Sequence, residues 1–216
     1  MNLARLLQLA SPALPVGAYS YSGGLEAAIE AGVVHDAASA ERWIGDVLEF
    51  SVARMEAPLL LSFLSGFRRK DLSETEKLND MLLASRETAE LRAETAQMGY
   101  SLNRLLKDLG VGEVPVAEPS FTAVFAFAAA HWQIEPEAAL QAYLWAWLEN
   151  QVMAAVKAVP LGQTDGQRIL LSLGSLLPVL AGKAAEIKEQ EFGNFAPGLA
   201  ILSSRHETQY SRLFRS

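Results

Sequence analysis

The sequence predicts an all-α fold: a single-domain helical bundle of about nine helices, with an extended Pro/Gly-rich N-terminal loop and a C-terminal docking tail. Three observations carry this. Leu and Ala dominate an apolar share of 50%, whereas Val and Ile are sparse, and that balance favours helix over strand. Apolar residues recur at three- and four-residue spacing, clearest over residues 86–109. No stretch reads convincingly as a strand. At 216 residues the chain fits one domain, long enough to bury roughly 70% of its unfolded surface in one core.

Residues 3–9 are expected to form a short helix, ended by Pro12 and Pro15. Residues 11–17 then read as an extended, stiff loop, because each proline pushes its predecessor out of the helical region. Tyr19, Tyr21 and the pair Gly23-Gly24 lead into a helix from Leu25. Asp36 caps the next helix, which runs to about residue 65 on Trp43, Val47, Phe50, Ala57 and Leu64. Pro58 removes one backbone donor there and predicts a kink or break near 54–57. Residues 66–71 read as a basic surface loop, and Ser73 with Glu76 as a capping box opening a helix to about 84.

From 86 to 109 the stripe Leu91, Met98, Leu102, Leu105 and Leu109 predicts a helix, with small Thr95 filling its gap. Glu87, Glu90, Glu94 and Gln97 lie elsewhere around it. They read as a solvated face rather than a metal site, since no histidine joins them. After a turn-rich break at 110–118, Pro119 suits the first turn of a helix carrying Phe121, Phe125 and Trp132, and Pro136 starts the next.

That next segment, AALQAYLWAWLENQVMAAVKAV, and the later ILLSLGSLLPVLA are too apolar for surface helices and belong at the centre or at a subunit contact. The hinge between them, 160–168, is not a phosphate loop. Its glycines are separated by three residues rather than four, and Gln167-Arg168 stands where Lys-Ser/Thr is needed. Thr164 and Gln167 instead read as a capping box, with Asp165 beside the positive helix end. Lys157, closing so apolar a run, must reach water, pair with a carboxylate or meet a partner.

Composition narrows function. A net charge of −7 argues against broad nucleic-acid binding. The absence of cysteine removes disulfides, thiolate nucleophiles and Cys-bearing metal sites. His35, His131 and His206 form no ligand-spaced pair and read as capped or packed. The N-terminus does not pattern as a signal peptide, and the apolar run 169–181 falls short of the ~20 residues of a membrane span. A cytoplasmic location is expected. The tail, 205–216, is different in character: three arginines against one glutamate make it +2 and leave −9 for the body. Tyr210, Leu213 and Phe214 fall on one helical face, and a chain end that keeps such residues is expected to dock.

The blocks LLQLASPALPVGAYSYSGGLEAAIEAG, SRETAELRAETAQMGYSLNRLL, KAVPLGQTDGQR and SSRHETQYSRLFRS resemble the urease accessory protein UreF family, in family order and over most of the chain. The resemblance implies an all-helical, dimer-forming scaffold (1–204) with a partner-docking tail (205–216) and no catalysis of its own. It implies partnership with UreD (also called UreH) and the GTPase UreG on apo-urease during nickel insertion. Nickel would pass through the assembly, an internal polar lining taking part, while GTP and Mg stay with UreG. The partner-facing residues are then Tyr19, Tyr21, Lys157, Asp165, Arg168, Arg205, His206, Glu207, Gln209, Tyr210, Arg212, Leu213, Phe214 and Arg215. An alternative is a GTPase-activating or fidelity-regulating role toward UreG, with Arg168, Arg205 or Arg212 as an arginine finger. A third is a helical oligomer whose apolar surfaces serve only self-association.

Overall fold

The computed structural model describes residues 3–216, and every regular element among them is helical. Besides two short 3-10 turns, Ala18–Ser20 and Glu189–Glu191, these are in order α1 (Leu3–Ala10), α2 (Leu25–Glu30), α3 (Ala37–Val47), α4 (Ala57–Arg69), α5 (Leu72–Ala84) and α6 (Ala89–Asp108). They continue with α7 (Phe121–His131), α8 (Pro136–Ala158), α9 (Gln163–Gly174), α10 (Leu177–Glu186) and α11 (Pro197–His206). A π segment, Leu48–Glu56, joins α3 to α4. The stretch expected as one helix from Asp36 is thus continuous through the π segment, whereas the apolar run 169–181 is divided between α9 and α10.

Helix α8 is the axis. Leu140, Leu144, Leu148 and Val152 are buried along it, and α1, α2, α3, α4, α7, α9 and α10 all pack against it. A second group, α4–α7–α6 with α5, completes the core, where Phe121, Phe125 and Tyr143 meet edge-on or tilted. Helix α6 crosses the entry to α7 closely because Gly99 has no side chain: a Cβ there would stand 2.0 Å from the Pro119 carbonyl oxygen.

Several local expectations are corrected. The Pro58 break is a π segment, one wider coil rather than a kink, and the released carbonyls find donors from afar: Phe195 N–H reaches Phe50 O at 2.9 Å and Gly193 N–H reaches Arg54 O at 3.4 Å. Residues 11–17 are turned rather than extended, Leu14 N–H bonding back to Ser11 O at 3.0 Å. Helix α4 runs on to Arg69, so the predicted basic loop shrinks to Lys70 (φ 59) and Asp71. Asp71, not Ser73, caps α5, and Gly162, not Thr164, caps α9. The α7 helix opens after Ser120, leaving Pro119 outside it and Trp132 just past its end. Leu106 takes the core place expected of Leu109, which is exposed. Asp36 does cap α3, in a reciprocal box with Ser39.

Helices α9 and α10 leave Leu171, Leu176 and Val179 exposed. Taken together, Gln163–Glu186 is 24 residues and, by length and composition alone, long enough to cross a membrane. A core helix passes the same test, and the shorter run 169–181 considered above does not reach it.

Candidate functional site

After α11 the chain turns back over the body, and residues 207–216 lie in a seat built by the 20–26 segment, α6 and the end of α8. Glu26 and Glu90 organise it. The Glu26 carboxylate accepts the backbone N–H groups of Leu213 at 2.6 Å and Phe214 at 2.8 Å. Glu90 accepts from Arg212 at 2.5 Å, and the same guanidinium donates to the carbonyls of Gln209 and Glu207. Between the carboxylates lies His206, fully buried, with Nδ1 2.6 Å from Glu90 and Nε2 3.2 Å from Glu26.

The end of the tail is bound more deeply still. The Phe214 ring is buried with the Lys157 ammonium 4.6 Å from its centroid, a cation–π contact that answers where that lysine goes. Arg215 N–H donates to Ser20 O at 2.8 Å. Ser22 is fully buried and gives both its N–H (3.1 Å) and its hydroxyl to the Ser216 carbonyl. The Ser216 hydroxyl donates to Glu94 at 2.8 Å.

Glu94 also belongs to a cavity of about 290 Å³. Its walls are mostly apolar, from Leu9, Leu14, Val52, Met98 and Trp147, and its polar groups include Glu56, Arg86, Glu94, Tyr143 and Glu149. The Tyr143 hydroxyl donates to Glu56, and Arg86 Nη2 is 3.0 Å from the other Glu56 oxygen. That contact is an ion pair without hydrogen-bond alignment, since Arg86 Nε and Nη2 are buried with no hydrogen-bond partner. Burial pushes the Tyr143 hydroxyl well above its ordinary range, with Glu56 adding to it. Burial likewise pushes the Glu94 carboxyl up to about 7, against the pull of Ser216 and Arg86. Glu94 is half-buried by surface area because it faces the cavity, but apolar walls still deprive it of bulk water. An apolar chamber with a few convergent polar groups is the usual form of a binding or transit site. Among the described residues no three His, Asp or Glu side chains converge in metal-holding geometry.

The predicted partner-facing residues divide. Tyr210 is fully exposed, and Tyr19, Arg205, Glu207 and Leu213 are exposed. Tyr19 stands at the cavity rim, and Glu207 accepts from Ala89 N–H at 2.9 Å. Asp165 and Arg168 pair with each other at 2.9 Å at the start of α9. Tyr21, His206 and Phe214 are buried, and 207–216 is not helical, so Tyr210, Leu213 and Phe214 share no helical face. Gln209 and Arg212 hold the turn, and Arg215 lies beside Gln97 at 3.5 Å. The division at residue 204 falls within α11, which continues to His206.

Sequence reasoning missed Glu26, Ser22, Glu56, Arg86 and Tyr143, and placed Glu90 and Glu94 on a solvated face. Both glutamates sit one turn apart beside the Leu91–Thr95 stripe, and that proximity is the signal that was available.

The UreF family model matches residues 34–174. The chain belongs to the UreF family. Curated relatives extend the match to the tail. The "Urease accessory protein UreF" of Azoarcus sp. (strain BH72) is 60% identical, covering 100% of this chain and 96% of that one. Its counterpart in Dechloromonas aromatica (strain RCB) is 54% identical, with 100% and 98% covered. A "Bifunctional urease accessory protein UreEF" of Bordetella bronchiseptica is 50% identical, all of this chain matching 52% of the longer protein. This UreF-family chain is thus a urease accessory protein, and the tail seat and cavity lie within the span its relatives share.

Proposed function

We propose that this chain is a non-catalytic scaffold of urease maturation, acting in the cytoplasm as a homodimer that joins UreD (UreH) and UreG on apo-urease while nickel is inserted. The observation that carries the docking half of this reading is the division of the tail. Phe214 and Ser216 anchor it, while Tyr210 and Leu213 point outward from an already ordered loop. An ordered loop offers its apolar side chains at a lower entropy cost than a frayed end. The polar floor of the cavity supports a part in passing nickel, with GTP and Mg held by UreG. The existence of a protein named UreEF, half of which this chain matches, supports a place among accessory partners.

Deleting 205–216 is a poor test, because it removes buried His206 and Phe214 along with the exposed groups. The double variant Tyr210→Ala/Leu213→Ala is cleaner. It is expected to keep wild-type helical circular dichroism and to lose at least about tenfold in affinity for the UreD-type partner, since each side chain contributes on the order of 1.5 kcal/mol or more when buried. Undiminished co-purification would remove the tail from the docking assignment. Asp165 and Arg168, paired on an exposed helix start, are the groups proposed to face UreG.

A further inference from the structure

The tail and the cavity meet at one carboxylate. Glu94 is part of the cavity wall, and the same group holds the Ser216 hydroxyl at 2.8 Å. Gly23, another wall residue, donates its N–H to that hydroxyl at 3.3 Å. Ser216 has no exposed surface, and buried Ser22 grips its carbonyl. The end of the tail therefore backs the cavity wall at this point, whereas Pro12, Tyr19 and Met153 on its rim are exposed.

We propose that residues 212–216 are a removable closure over Glu94: seated, they seal its carboxyl into the cavity wall, and lifted, they hand it to water. Seating of the tail and protonation of Glu94 then form one linked equilibrium. The closure is built to be reversible, since apart from Phe214 it is held by hydrogen bonds and ion pairs that water can replace.

The groups facing Glu94 set the direction of the linkage. The Ser216 hydroxyl and, less strongly, Arg86 draw the carboxyl toward its charged form, and Glu56 of the π segment opposes them. Tyr143 and Glu149 of α8 line the same cavity, and Tyr21 and Arg215 flank the tail side. Desolvation outweighs the rest and sets the seated carboxyl at about 7 against an ordinary 4.5. A group raised in the closed state favours closure while protonated. Closure is thus strongest below the ordinary value, weakens by up to about tenfold per pH unit as pH rises toward 7, and levels off above it.

Hydrogen exchange of the full-length chain reads this through the amides of Leu213, Phe214 and Arg215, after correction for the intrinsic pH dependence of exchange. Protection is expected to fall about tenfold from pH 6 to pH 8. Glu94→Gln, neutral at both, should abolish most of that change, and the comparison separates Glu94 from His206, which shares the seat. Equal pH dependence in both proteins, or none in wild type, overturns the proposal. Should Glu94→Gln not fold, carboxyl NMR titration of wild type and Phe214→Ala decides. One glutamate titrating near 7 in wild type should move down by at least about one unit once the tail is unseated, and an unmoved midpoint overturns the closure.

Discussion

At Gly99 the space a side chain would need is occupied by backbone. A Cβ would stand 2.0 Å from the Pro119 carbonyl oxygen and 2.7 Å from the Ser120 carbonyl carbon, and neither can step aside without moving the entry to α7. Gly99→Ala is therefore expected to destabilise by about 3 kcal/mol or more. Gly166→Ala meets a softer obstacle, the Val156 methyl at 2.7 Å, and should cost only about 1–2 kcal/mol. Urea midpoints of the two variants check the ranking, and equal costs would contradict it. Sequence reading passed over Gly99 because a glycine inside a strong helical stripe looks like a minor weakness. Its reason lies some twenty residues downstream, in a strand of backbone whose approach no local pattern encodes.

Between α3 and α4 the helix carries Pro58 without breaking, because the π segment spreads the disturbance over Leu48–Glu56 and other donors take up the freed carbonyls. Phe195 tests this account. Its side chain is exposed but its N–H is spent on Phe50 O, so Phe195→Ala should be nearly neutral while Phe195→Pro costs about 1–3 kcal/mol. Chemical denaturation distinguishes them, and a neutral proline variant would show that the contact contributes nothing. Most helices were legible from spacing because helix formation is a local property. The caps were harder. Asp71 and Ser73 have similar chemistry two residues apart, and the choice depended on α4 continuing to Arg69. The π segment was illegible as such, since its compensating donors come from residues 193 and 195.

Across the whole molecule, buried His206 ties together α2, α6 and α11 through Glu26 and Glu90. Removing it leaves two nearly buried carboxylates facing each other, and His206→Ala is expected to cost about 3–5 kcal/mol. His206→Gln, which keeps a donor, should recover part of that loss in calorimetry, and an alanine variant as stable as wild type would refute this role for the Glu26–His206–Glu90 contacts. Of Tyr210, Leu213 and Phe214, which the sequence reading expected to dock, Phe214 alone is buried, and the surface that buries it is this chain's own body. Glu90 and Glu94 looked solvated because α6 shows one apolar stripe, and the cover over its other face arrives from distant segments, residues 206–216 over both carboxylates and the apolar cavity walls beside Glu94. The Ser22–Ser216 contact spans 194 positions of sequence. Closing so long a loop is entropically demanding and confers little until both sides are already built. That contact is expected to form late in folding. Parting the two distant segments while the body stays intact is expected to cost less than global unfolding, because only the short tail is released, and hydrogen exchange at Phe214 and Arg215 faster than at the core helices would show it.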